Sequence, residues 1–153
     1  MPNVAELLAP LLARVSSDRQ PLFLAIAERL AADRYRGWAD NRAYAAHRDR
    51  LLACSAREEE IAKRVETLRA DAAAVQKEIL AANPDLLDIN RQLFADMSVE
   101  DQMRTQAGGE RAGAAVWRAF AAQTKNDTAR STFLACADLE EASAAVLDDI
   151  LGV

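Results

Sequence analysis

The chain has 153 residues, 51% of them apolar and 28% charged, with a formal charge of −5. That length fits one domain with a sizeable core, and the acidic balance argues against a nucleic-acid surface. Two cysteines without a CxxC spacing exclude a disulfide framework and a zinc motif. Aromatics are few and alanine is abundant, which favours closely approaching helices over sheets.

Asn3-Val4-Ala5-Glu6 reads as a capping box that opens a short helix, and Pro10 kinks or ends it. Residues 1–16 are therefore expected to form an N-terminal helical extension, and 17–153 a single domain. Ser17 and Asp18 are cap candidates for the next helix, with Pro21 tolerated in its first turn. Leu24, Glu28, Ala31, Tyr35 and Trp38 share one of its faces, and Gly37 to Asn41 marks its end. The clearest pattern follows. Leu51, Cys54, Glu58, Ile61, Val65, Leu68, Ala72, Val75 and Ile79 keep alternating steps of three and four, and Glu58 alone is polar. Asn83-Pro84 stops that stripe. Asp85 to Met97 reads as another short helix, and Ser98-Val99-Glu100-Asp101 starts the next. Gly108-Gly109 is expected to weaken or break it, after which Glu110, Ala114, Trp117 and Phe120 resume the pattern. Asn126-Asp127 is a turn and cap, and a last helix carries Phe133, Cys136, Glu140, Ser143, Leu147 and Ile150. No strand signal is present. No apolar run reaches the roughly eighteen residues that suggest a membrane span, and the first residues lack the basic-then-apolar order of a signal peptide. A cytoplasmic protein with no membrane partner is expected.

A segment recurs. Ala53-Cys54 followed by Glu58-Glu59 returns as Ala135-Cys136 followed by Glu140-Glu141, at a constant offset of 82 residues. The same offset lays Glu28 on Glu110, Arg29 on Arg111, Tyr35 on Trp117, Arg36 on Arg118 and Trp38 on Phe120. Twelve of thirty-five positions are identical between Glu28–Ala62 and Glu110–Ala144. The chain is thus read as a duplicated helical hairpin, with repeats at about 21–68 and 103–150. Two helix pairs joined by a longer connection form a four-helix bundle with a crossover.

On these residues the chain resembles the ferritin-like superfamily, most closely its rubrerythrin branch, over most of Pro21–Leu151. Glu28 with Tyr35 seven residues later is similar to one family helix, and Glu58 with its trailing apolar stripe is similar to the Glu-x-x-His helix. The resemblance implies an all-α, ferritin-like four-helix bundle with a helical crossover. It also implies that Glu28, Glu58, Glu110 and Glu140 are candidate or vestigial ligands of a metal pair. The histidines of the family pattern are missing: Ile61 and Ser143 stand in their places, and the single histidine, His47, is too far along the chain to replace them.

Two functions compete. The first is a non-catalytic binding or structural bundle with no cofactor, its glutamates paired, protonated or wet, with Arg29, Arg36, Arg57, Arg111 and Arg118 as nearby partners. The second is a dimetal oxidoreductase or ferroxidase that holds an iron or manganese pair on glutamates alone. The missing imidazoles favour the first. Cys54 and Cys136 are expected in the core, on opposite sides of the pseudo-two-fold axis and too far apart to bond. A helix running unbroken from Asn41 to Ala82 would be about 60 Å long, too long for the crossover to climb back. A break near Arg69–Ala74, a late start of the Glu110 helix, or passage to a second chain would each resolve this. A break combined with a homodimer is expected.

Overall fold

A computed structural model describes residues 2–153. Among them are seven α-helices and no strand. They are α1 (Val4–Leu12), α2 (Gln20–Ala39), α3 (Arg48–Thr67), α4 (Ala72–Ala82), α5 (Leu86–Phe94), α6 (Val99–Gln123) and α7 (Asp127–Leu151). A short 3-10 segment, Arg42–His47, joins α2 to α3. No helix is long and apolar enough to cross a membrane.

Side-chain caps open α1, α6 and α7, whereas α2, α3, α4 and α5 start without one. Asn3 Oδ1 accepts from the backbone N–H groups of Ala5 and Glu6, and α1 continues through Pro10 for two residues before it stops. Ser98 caps α6 by accepting from Asp101 N at 3.1 Å, and Asn126 caps α7 by accepting from Ala129 N at 2.9 Å. Neither Ser17 nor Asp18 caps α2. The Ser16 carbonyl takes the N–H groups of Arg19 and Gln20 instead, and Pro21 sits in the first turn, where its missing N–H costs nothing.

The long apolar stripe is divided. Leu68 to Asp71 interrupts it, α3 ending at Thr67 and α4 beginning at Ala72. The break is about one turn long, so Ala72, Val75 and Ile79 stay buried like Ile61 and Val65 before it. Gly108-Gly109 does not break α6, which is helical from Val99 to Gln123. Two consecutive glycines cost helix stability, but Met103 and Ala107 before them and Ala114 and Trp117 after them are all buried. Tertiary burial on both sides outweighs the local propensity.

Two apolar clusters, separated by a polar layer, fix the helix directions. One holds Leu22–Ala25 of α2, Ile61 and Val65 of α3, Ala114 and Trp117 of α6, and Phe133 and Cys136 of α7. The other holds Tyr35 and Trp38, Leu51 and Cys54, Met103 and Ala107, and Leu147. Helices α2 and α7 therefore run from the first cluster to the second, and α3 and α6 run back. Helices α2 and α3 pack as one antiparallel pair, α6 and α7 as another, and α3 also packs on α7.

Because α3 and α6 run the same way, the chain must return between them. Helix α4 stays with the first cluster, contributing Val75 and Ile79. Helix α5 climbs alongside α2, where Asn90 and Phe94 meet Arg34. The connection closes at Asp96, whose φ of 59° is left-handed, a conformation aspartate tolerates better than most residues. Once α3 stops at Thr67 it descends only about 14 Å below Glu58, against about 36 Å for an unbroken helix. The crossover then closes within one chain.

Candidate metal centre

Each long helix brings one glutamate to the layer between the clusters: Glu28 from α2, Glu58 from α3, Glu110 from α6 and Glu140 from α7. They are buried to 7%, 0%, 1% and 2% residual exposure, so all four predicted positions lie in the core. Glu28, Glu58 and Glu140 each offer a carboxylate oxygen, and the three oxygens lie within 4.8 Å of one another. Glu28 interacts directly with Glu58 and Glu140, and Glu140 with Glu110. Carboxyl groups this close require protons or cations between them, because like charges cannot all remain ionised in a dry site.

Neutral donors hold the outer oxygens. Tyr35 donates its hydroxyl to Glu110 Oε1 at 2.6 Å, and Gln106 Nε2 donates to the same oxygen at 2.8 Å. Trp117 Nε1 donates to Glu140 Oε1 at 2.9 Å, and Ser143 Oγ to Glu58 Oε1 at 2.9 Å. The second oxygens of Glu58 and Glu110 are buried and accept from nothing among the described residues. Glu140 has its own cradle: a Cβ at Gly113 would collide with its carboxylate, lying 3.0 Å from Cδ. Glycine at 113 is what admits that carboxylate.

None of the five arginines expected beside the glutamates pairs with them. Arg29 bridges Glu59 and Glu66, Arg36 meets Asp33 and Glu59, Arg111 meets Asp148 and Arg118 meets Glu141. Arg57 points its guanidinium at Cys54 Sγ, 3.4 Å away. These side chains lie on outer helix faces, where flanking acids take them. The basic group that does act on the layer is Arg34, half-buried on α2, which feels Glu110 and Glu28 through space. Sequence patterning misses it because it falls six residues after Glu28, off that face. Gln106 and Gly113 are missed for a similar reason: their roles depend on which carboxylate packs opposite.

Burial dominates the electrostatics. Desolvation, reinforced by Glu110, raises Glu28 from an ordinary 4.5 to about 7. Glu58 and Glu140 are pushed well above the usual carboxylate range, first by desolvation and then by the neighbouring acids. Desolvation likewise raises the Cys136 thiol to about 12, and the two free cysteines sit in different apolar clusters.

These residues fit a hard divalent cation. Such ions take carboxylate oxygens, and the site supplies several, two of them buried with no other partner. It supplies no imidazole: Ile61 is fully buried in the apolar cluster, and Ser143 spends its hydroxyl on Glu58. No family model, curated protein or solved structure matches the chain.

Proposed function

We propose that the chain is a ferritin-like four-helix bundle, a duplicated helical hairpin joined by a helical crossover, whose core glutamates bind divalent cations through oxygen ligands alone. The constant offset of 82 residues supports the duplication, since it relates Glu28 to Glu110 and Glu58 to Glu140 within one layer. The observation that carries the cation site is the pair of orphaned oxygens, Glu58 Oε2 and Glu110 Oε2. An unpartnered buried carboxylate costs several kcal/mol, by order of magnitude, and a cation held among Glu28, Glu58 and Glu140 would offset that cost at Glu58.

Tyr35, Gln106, Trp117 and Ser143 would orient the ligands, each donating to an outer oxygen so that the other faces the layer. Oxygen-only coordination suits manganese(II), magnesium or calcium, and holds iron(II) less firmly than a site with nitrogen ligands. A redox-active metal bound there would supply electron-transfer chemistry. With apolar Ile61 where the family pattern has a nitrogen ligand, we assign the site to cation binding rather than to catalysis.

One observation favours a second reading. The raised carboxyl groups, Glu28 at about 7 among them, can hold protons in place of metal, which would make the layer a structural polar core. Manganese(II) titration of chelator-stripped protein, followed by thermal unfolding, separates the two. Cation binding predicts a saturable rise in melting temperature, of the size expected for a ligand that binds only the folded state. An unchanged melting temperature across the titration supports the protonated core.

A further inference from the structure

A cavity of about 520 Å³ opens between α1, α2, α5 and α6 and reaches down to the glutamate layer. Its volume lies in the range of small-molecule sites, which pair apolar walls with a few placed polar groups. The walls are Leu7 and Leu11 of α1, Ile26 and Leu30 of α2, and Leu93 and Phe94 of α5. Glu28, Glu110 and Glu140 form the floor, and Arg34 stands among the lining residues.

Arg34 is held for use. Nη1 donates to Asn90 Oδ1 at 2.7 Å and Nε to Gln106 Oε1 at 3.0 Å, and the guanidinium stacks 4.0 Å from the Phe94 ring centroid. Both hydrogen-bond partners are neutral amides, and no carboxylate lies within ion-pair distance of it among the described residues. A guanidinium has five N–H donors, so most remain for a ligand. Two divalent cations held in the layer would offset the four glutamates and leave Arg34 as the uncompensated charge at the pocket floor.

We propose that this cavity binds a medium-chain aliphatic carboxylate, its tail between α1 and α5 and its head on Arg34. The proposal rests on the cation-site reading for the charge that offsets the floor acids; the apolar cavity and the Arg34 guanidinium stand without it.

Calorimetric titration of hexanoate, octanoate, decanoate and decanol into the full chain, manganese-loaded and metal-free, tests it. Affinity is expected to rise roughly fourfold per added methylene, and decanoate to bind at least tenfold tighter than decanol. Arg34→Gln should abolish that preference, and Leu93→Trp should fill the cavity and remove decanoate binding while leaving manganese binding intact. Absence of saturable decanoate binding in both forms, or equal affinity for decanol, overturns the proposal. Should either variant fail to fold, the chain-length series and the decanol comparison on the unaltered protein decide. The two failures are distinguishable: decanoate binding without manganese binding removes the cation reading and keeps this one, and the converse result does the opposite.

Discussion

Glu58 and Glu140 occupy equivalent places in the two hairpins but are held by different donors, Ser143 from α7 and Trp117 from α6. Replacing either by glutamine keeps an oxygen for its donor and removes a buried acid that must otherwise hold a proton or a cation. In the metal-free protein, Glu58→Gln and Glu140→Gln should leave stability unchanged or raise it by about 1–3 kcal/mol, measured by urea unfolding. Either should also erase stabilisation by manganese. Gly113→Ala should cost about 1–3 kcal/mol through overpacking against the Glu140 carboxylate, and a fully stable alanine variant would show that the carboxylate lies elsewhere. The pH dependence follows from Glu28, raised from 4.5 to about 7. In that window the folded state holds a proton that the unfolded chain has released. Metal-free protein should therefore lose stability as pH rises from about 4.5 to about 7, and Glu28→Gln should make that slope shallower in urea unfolding with chelator present, the raised Glu58 and Glu140 supplying the rest. The four glutamates were legible in the sequence because each interrupts an apolar stripe and recurs at a fixed offset. Arg34 and Gly113 were not, because neither lies on a stripe that announces its role and only the packing of α5 and α7 supplies the partner.

At the scale of elements, caps and stripes placed most helices, and local propensity alone is a weak guide to where a helix breaks. Gly108-Gly109 reads as a weakening or a break when local propensity is weighed alone, and α6 is continuous there because the Ser98 cap and buried residues on both sides of the pair hold it. A Cβ on Gly108 would meet nothing within 4 Å. Gly108→Ala should therefore stabilise the protein by about 0.5–1 kcal/mol, read as an increased midpoint in urea. A broken or left-handed backbone at 108 would give a loss instead. The interruption at Leu68–Asp71 was required by the reach of the crossover rather than signalled by its own residues, which contain neither glycine nor proline. That argument placed the break near Arg69–Ala74, and α3 stops just before it.

For the molecule as a whole, the break removes the geometric reason for exchanging hairpins between two chains, since the return path closes within one. What then distinguishes the core is an acidic layer between two apolar clusters, with a cavity leading to it from the α1–α5 side. The two helix pairs are not equivalent inside that layer. Ser143 contributes a hydrogen bond where its repeat counterpart Ile61 is apolar, and Tyr35 donates across the hairpins while Trp117 donates within its own. Direct elemental analysis of protein purified without chelators, repeated after manganese reconstitution and desalting, tests the central claim. One to two equivalents of divalent metal per chain, lost in the Glu58→Gln, Glu140→Gln double variant, is the predicted result. Metal-free protein both before and after reconstitution would contradict it.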